Sequence, residues 1–502
     1  GRPSPGAPFF GLFMNLGAET TFRKVVSDAI YFAVGGALPR CVGDRRVARL
    51  LESSPALQPV SRMVPHLTTA LSGPWMDLER RILERMPEIE RWLRAKWQEH
   101  AIPFYASVDL RNAGFKIAPV DTNLFPGGFN NLNPAFMPLC VQAVQAAVER
   151  VCADARGVLL IPENHTRNPY YLKNVATLES ILRQGGMRVR IGSINPEITA
   201  RTTIDLDDGR KLVVEPVVRN GHRVGLPDFD PCMVLLNNDL SSGVPEFLAH
   251  VDQPIAPPLS AGWYNRKKSH HFEMYRLVAR EFASLLDIDP WLVDPYFGVC
   301  SAVSFQDRDG EECLATNVES VLARIAVKYR EYGIEEKPFV IVKADAGTYG
   351  MGIMTVRDAA DVIGLNRKQR NKMAVVKEGL EVTSVIIQEG VPTYESIDDA
   401  IAEPVVYMID RFVVGGFYRV QTERGKDQNL NAPGAEFIPL AFESPCIPDL
   451  AGPAGCPPNR FYSSGVVTHL AQVAASLEIE ALEDAGMPAA AQPSAATTAT
   501  AA

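Results

Sequence analysis

The sequence predicts an α/β protein whose last third turns to α+β. Three observations predict it: residues 157–194 alternate strand, helix and strand, residues 336–445 are dense in short strands and glycine turns, and residues 73–98 carry a helical hydrophobic repeat with charges opposite.

The elements follow in order. GPWMDLERRILERMPEIERWLRAKWQ (73–98) has apolar residues at helical spacing, and Pro87 interrupts them, so two helical pieces or one kinked helix are expected. From Gly157, GVLLIPENHTRNPYYLKNVATLESILRQGGMRVRIGSI gives strand VLLIP, a polar loop, a helix stopped by Gly185 and Gly186, and strand MRVRIGSI, a βαβ-type unit. CMVLLNN (232–238) reads as a buried strand and SHHFEMYRLVAREFASLL (269–286) as a helix. Further on, FVIVK, GIMTV and TSVIIQEGV read as strands with one helical crossover. EPVVYMIDRFVVGGFYRV reads as a hairpin around Gly415 and Gly416, which implies a mixed or antiparallel sheet. The expected organisation is a poorly ordered extension over 1–60, an N-terminal helical segment over 61–156, a βαβ-type domain over 157–300, a strand-rich domain over 301–484 and a low-complexity tail over 485–502.

The 502 residues include 46% hydrophobic and 22% charged side chains, with a net charge of −9. That is the profile of a globular protein, and no apolar run reaches the length of a membrane span. An acidic chain also lacks the Lys/Arg excess that neutralises nucleic-acid phosphates, so the expected partners are small molecules rather than nucleic acid or membrane. The basic NRKQRNK (366–372) is too short to change that. Eight cysteines (41, 140, 152, 232, 300, 313, 446 and 456) contain no CxxC pair, which suggests neither a zinc ribbon nor a disulfide framework and fits a reducing cytoplasm. The opening GRPSPGAPFFGLFMNLG reads as an extension, not a signal peptide, because Pro and Gly break its apolar patch.

PFVIVKADAGTYGMGIMTV (338–356) puts Lys343 at a strand end and Gly347, Gly350 and Gly352 in the following loop. It matches neither GxxxxGK[ST] nor a dinucleotide fingerprint, since a strand follows where the latter opens a helix. Glycines there permit positive φ and remove Cβ atoms that would keep backbone N–H groups from an anion, while Lys343 offers a point charge to phosphate oxygens. The plain alternative is a glycine-rich hairpin. His270 and His271 are adjacent, with no third histidine at ligand spacing, so they suggest a capped helix start rather than zinc.

After the glycine loop come VIIQEGVP, whose turn could hydrogen-bond an adenine edge, then Asp410-Arg411 and Arg419 on adjacent strands. This order resembles the ATP-grasp enzymes, as seen in bacterial glutathione synthetases. The motifs VPHLTTALSGP (64–74), DLRNAGFKIAPVDTNLFPGGFNNLNP (109–134), IPENHTRNPYYLKNV (161–175), GWYNRKKSHHF (262–272) and DQNLNAPGAEFIPLAFE (427–443) look like the proteobacterial type of glutamate–cysteine ligase, over about residues 62 to 485.

The resemblance implies an ATP-grasp-like fold with the nucleotide in the 301–484 domain. It also implies ATP-dependent ligation of the glutamate γ-carboxylate to cysteine through an acyl phosphate, the first step of glutathione synthesis. Lys343, Arg411 and Arg419 become candidates for the transferred phosphoryl group, because two anions must approach and their charge must be neutralised. Gly347, Thr348, Tyr349, Gly350, Met351 and Gly352 would close over the nucleotide, and Gln388, Glu389 and Val391 would bracket the adenine. Arg411 also reads as a surface salt bridge. Mg²⁺ wants hard oxygen ligands, and in place of the family's Glu-x-Asn the chain offers Asp427, Asn429 and Asn431 at alternate positions, with Asp410 as partner; an Asx-rich turn is the other reading. Arg111, Asn112, Lys116, Asp121, Asn123, Asn130 and Asn131 mix cations, an anion and amides suited to both ends of an amino acid. Arg266, Lys267 and Lys268 could face phosphate or simply solvent. Two rivals fit the same pattern: another carboxylate–amine ligase, and a nucleotide-binding regulatory protein without turnover.

Overall fold

Pro87 divides the first helical repeat as expected. After β1 (Leu67–Thr68) come α1 (Pro74–Glu84) and α2 (Met86–Glu99), each with proline in its first turn, where a missing N–H leaves no bond unmade. The structure is a computed structural model that describes residues 67–68, 73–154, 156–164, 168–347, 352–374, 381–440 and 460–486. The expectations for residues 1–60 and for the alanine-rich tail beyond 486 lie outside the described residues.

β2 (Tyr105–Asn112) and β3 (Ile117–Asn123) pair antiparallel, and α3 (Met137–Val151) leads into β4 (Gly157–Pro162), α4 (Pro169–Gln184) and β5 (Arg188–Ser193). β4 and β5 are parallel, which makes this the predicted βαβ unit, and the Asn168 side chain caps α4 by accepting from the N–H groups of Tyr170 and Tyr171. β6 (Thr202–Asp205), β7 (Lys211–Pro216), β8 (Val218–Asn220), β9 (Arg223–Gly225), β10 (Met233–Asn237) and β11 (Ile255–Ala256) follow, then α5 (Lys268–Leu286), β12 (Phe297–Cys300) and α6 (Glu311–Glu331). The last part holds β13 (Val340–Ala344), β14 (Ile353–Val356), α7 (Ala359–Ile363), α8 (Arg367–Ala374), β15 (Val385–Glu389), β16 (Ser396–Ile397), β17 (Ala400–Ile409), β18 (Phe412–Gln421), β19 (Glu436–Pro439) and α9 (Arg460–Asp484). Two short helices thus stand where one crossover was expected.

Among the described residues three large sheets form. One runs β11-β10-β4-β5-β7-β6, parallel except at β6–β7; its strand β4 is buried along its whole length, as a parallel strand covered on both faces must be. The second, β12-β15-β13-β14, is antiparallel throughout. The third runs β1-β16-β17-β18-β19, with β2 also paired to β17 and β3 to β2, again all antiparallel.

The hairpin of β17 and β18 corrects the sequence reading. The chain turns at Asp410-Arg411, where Asp410 takes the left-handed conformation (φ 52°), and Gly415 and Gly416 lie inside β18. A register shift falls between Tyr407 and Met408, opposite the glycines. At Gly416 a Cβ would come within 2.4 Å of the Val405 carbonyl oxygen. The glycine pair therefore serves a bulge and a close approach of strands, not a turn.

α9 is a helix that the sequence reading did not single out. Val466, Leu470 and Ala474 are buried, but so are Ser463, Thr468, Gln472 and Glu478, so no one-sided apolar stripe marks it. It is tied to the body by Glu478, which accepts two bonds from Arg266 (2.9 and 2.7 Å) and lies 3.0 Å from His271 Nδ1. His271 is thus a buried structural partner. The start of α5 has no cap from its own N-cap residue Lys267; instead Asp345, just beyond β13, accepts from the Ser269 N–H at 2.8 Å.

Candidate active site

A cavity of about 500 Å³ lies where the three sheets meet. Strand alternation builds its largest wall. In β2 the residues Ser107, Asp109 and Arg111 face the cavity while Ala106, Val108 and Leu110 are buried in the core; in β17 Glu403, Val405 and Tyr407 face it, and in β18 Phe417 and Arg419. The second wall comes from the four-stranded sheet, with Ile341, Lys343, Gln388 and Glu389. The third lies beyond the carboxyl ends of β4 and β10, with Glu163, Asn237 and Asp239. Strand order reverses there, as it does at ligand crevices of open parallel sheets.

Charge on this surface is dense and buried. Glu403 accepts from Arg111 Nε at 2.8 Å and from Arg419 Nη1 at 2.6 Å, and Arg419 Nη1 also donates to Asp109 at 2.8 Å. Burial opposes ionisation of Glu403, but Arg111 and Arg419 outweigh it and hold the carboxyl below its usual range. Lys343 Nζ donates to the Val120 carbonyl at 2.5 Å, and Lys268 Nζ to Asp121 at 2.8 Å. Burial, aided by the neighbouring cations Lys268 and Arg111, pushes Lys343 down to about 8 against the pull of Asp121 and Asp109. Among the described residues two buried donors at the cavity have no partner: Gln388 Nε2 and Arg419 Nε. Such orphans are costly unless something binds there.

Of the sequence candidates, Arg111, Asp121, Asn123, Asn130, Asn131, Lys343, Gly347, Gln388, Glu389, Val391, Arg419, Asn429 and Asn431 border this one cavity. Thr348, Tyr349, Gly350 and Met351 lie outside the described residues. Gly352, at φ 60°, accepts from the Ala344 N–H through its carbonyl and does not line the cavity.

Other candidates are corrected. Arg411 sits exposed on the hairpin turn, over the ring of Phe412, and borders a separate cavity of about 320 Å³; the hairpin ends there instead of at the glycines, which carries it away from the cleft. Asp410, on the same turn, accepts from Arg150 at 2.7 Å. Asp427 pairs with Arg357, and the Asn429 side chain accepts from the Asn431 N–H at 3.0 Å, so 429–431 is an Asx turn and 427–431 is not an extended strand. The four predicted metal ligands therefore do not converge. Among the described residues no three His, Cys, Asp or Glu side chains gather to hold a metal ion.

Asn112 and Lys116 stand outside the cavity. Lys116 is fully buried, donating to Glu389 at 3.0 Å over the ring of Trp291, and Asn112 donates to Glu395 at 3.3 Å. Arg266 is sealed against Glu478, whereas Lys268 reaches the cavity. Sequence reasoning missed Asp109 and Glu403. Their signal was the alternation of Asp109 and Arg111 with apolar residues in VDLR, and the single charge of Glu403 in the otherwise apolar AEPVVY.

A family model described as glutamate-cysteine ligase matches residues 79–479. The chain belongs to the glutamate–cysteine ligase family. The crystal structure at 1.90 Å of a candidate gamma-glutamylcysteine synthetase from Methylobacillus flagellatus KT is 63% identical to this ligase, covers 84% of it and 99% of its own chain, and superposes with a TM-score of 0.78. Also similar, weakly, are D-alanyl-alanine synthetase A from Vibrio cholerae (10% identity, 63% of this chain and 81% of that one, TM-score 0.30) and a RimK domain ATP-grasp protein from Sphaerobacter thermophilus (11%, 64% and 99%, TM-score 0.25). No curated protein matched the ligase. Among its described residues no helix is long and apolar enough to cross a membrane.

Proposed function

We propose that this ligase joins the γ-carboxylate of L-glutamate to the amine of L-cysteine, with ATP supplying the phosphoryl group of an acyl-phosphate intermediate, to give γ-glutamylcysteine for glutathione synthesis. Family membership supports the reaction, and the cavity supports its location. The observation that carries the site is the pair of buried donors without a partner among the described residues, Gln388 Nε2 and Arg419 Nε, on two sheets that line one cavity with Lys343 and Gly347.

In this reading the nucleotide lies between the four- and seven-stranded sheets, in an ATP-grasp-like arrangement. Gln388 and Val391 border its base, and Lys343 and the backbone at Gly347 meet its phosphates. Arg111 and Arg419 face the glutamate carboxylate and the phosphoryl group moving onto it, where fixed cations stabilise the charge of the transfer. A desolvated site strengthens each of these interactions. Mg²⁺ accompanies ATP in this reading. Because the predicted ligands do not converge, no protein step is assigned to it; phosphate oxygens and water are ordinary partners of that ion.

The test is to mix the protein with ATP, Mg²⁺, glutamate and single amino acids and to record ADP and product mass. ADP with γ-glutamylcysteine is expected for cysteine. ADP with another acceptor and none with cysteine would assign the chain to a different carboxylate–amine ligation, and ATP binding with no ADP from any acceptor would make it a nucleotide-binding protein without turnover.

A further inference from the structure

Asp109 and Asp121 stand directly opposite each other in the β2–β3 ladder and both border the cavity, an arrangement that places like charges side by side. Their surroundings separate them. Asp121 is held by Lys268 at 2.8 Å, and although burial works against its ionisation, Lys268 and Lys343 together keep the carboxyl far below its usual range. Among the described residues Asp109 pairs with Arg419 alone, through Oδ2 at 2.8 Å, and that guanidinium is shared with Glu403. Burial raises Asp109; Arg419 opposes the rise, and Glu403 and Asp121 add to it. Tyr407 and Lys343, from β17 and β13, also interact with it. Two carboxyl groups pushed apart in one site is the pattern of an acid–base assignment.

The other carboxylates of the cavity are engaged. Glu403 lies between two arginines, and Glu389 accepts from Lys116, from Trp291 Nε1 and from the Tyr296 N–H. Glu163 accepts from the Asp239 N–H, and Asp239 from the Ser241 N–H and hydroxyl. Asp109 is oriented by Arg419 through Oδ2 and borders the cavity, and among the described residues no hydrogen bond to its Oδ1 is seen.

We propose that Asp109 is the general base that takes a proton from the ammonium group of the incoming amino acid, freeing its nitrogen to attack the acyl phosphate. This rests on the ligation reading above. The ammonium gives one proton to Asp109 Oδ1, and the nitrogen lone pair forms the C–N bond at the γ-carbonyl carbon. The C–O bond to the phosphate then breaks, with its electron pair leaving on phosphate. The second proton lost from nitrogen goes to the departing phosphate, and Asp109 returns its own to solvent.

The test compares two nucleophiles in wild type and Asp109→Asn, in which the amide oxygen can still accept from Arg419. Cysteine arrives as an ammonium ion; hydroxylamine is already unprotonated at neutral pH and needs no base. With cysteine the variant should lose about 100-fold or more in turnover, while γ-glutamyl hydroxamate formation should change by less than about threefold, the signature of a missing general base. Equal losses with both nucleophiles in a variant that still binds nucleotide would overturn the proposal, and so would an unchanged rate with cysteine. A second readout needs no variant: in wild type, kcat/KM for cysteine should fall on an acid limb that the hydroxylamine reaction lacks, and the same limb for both would contradict the assignment. Absence of any hydroxamate in wild type would instead reject the acyl-phosphate reading, so the two failures are distinguishable.

Discussion

Glu403 stands opposite Arg419 in the β17–β18 ladder, and its carboxylate accepts from that guanidinium at 2.6 Å while holding Arg111 with its other oxygen. All three side chains are buried. The trio sets the two cations facing the cleft at fixed positions. Glu403→Gln leaves them undercompensated and should destabilise the fold by about 3–5 kcal/mol, the usual consequence of removing one partner from a buried ionic cluster. Glu403 has a lowered pKa, so its contribution is complete above the ordinary carboxylate range and is lost as pH falls through its folded value. Denaturant melts from pH 7 to pH 3 should therefore show a shallower acid loss in the variant than in wild type.

On the proposed reading, Lys343 should make nucleotide binding proton-linked. Its pKa is pushed down to about 8, so the buried cation is a stability cost carried in full below pH 8 and relieved as pH rises from there towards the ordinary lysine range. A phosphate acts in the opposite sense by favouring the cation. Calorimetry should find ATP affinity level below about pH 8 and falling above it, by up to tenfold per pH unit for one linked group. Lys343→Ala should remove that slope and lower kcat/KM by about 2–4 kcal/mol, the worth of one positioned charge at a developing anion. A variant with the wild-type slope would assign the proton to another group.

On the proposed reading, Gln388 meets the base end of the nucleotide. Its Nε2 is buried and without a partner among the described residues, so Gln388→Leu removes an unsatisfied donor and should leave the thermal midpoint of the free protein equal or higher. The same change should weaken ATP binding by about 1–3 kcal/mol, the cost of losing a buried hydrogen bond to ligand. A lower midpoint with unchanged affinity would place the role of Gln388 in the fold.

Periodicity made much of this protein legible from sequence. The Pro87 break, the βαβ unit at 157–193 and the antiparallel strands around Lys343 follow from spacing alone. Local pattern fails where partners are distant in sequence. Gly415 and Gly416 look like a turn, yet their need for close approach comes from Val405 on the neighbouring strand. α9 has no amphipathic stripe because it is buried on all sides, with Glu478 neutralised by Arg266 from 212 residues away. Asp109 and Glu403 escaped notice for a related reason: a carboxylate in a strand becomes a site only when the sheet sets it beside Arg419. Lys343, which borders the cavity, could be singled out because strand, lysine and glycines are contiguous in sequence.

The reaction itself is tested most directly by following one oxygen atom. Glutamate labelled with heavy oxygen in its γ-carboxylate, turned over with ATP and cysteine, should deliver one labelled oxygen to each phosphate released, because that oxygen bridges carbon and phosphorus in the acyl phosphate. γ-Glutamylcysteine formed with unlabelled phosphate would contradict it.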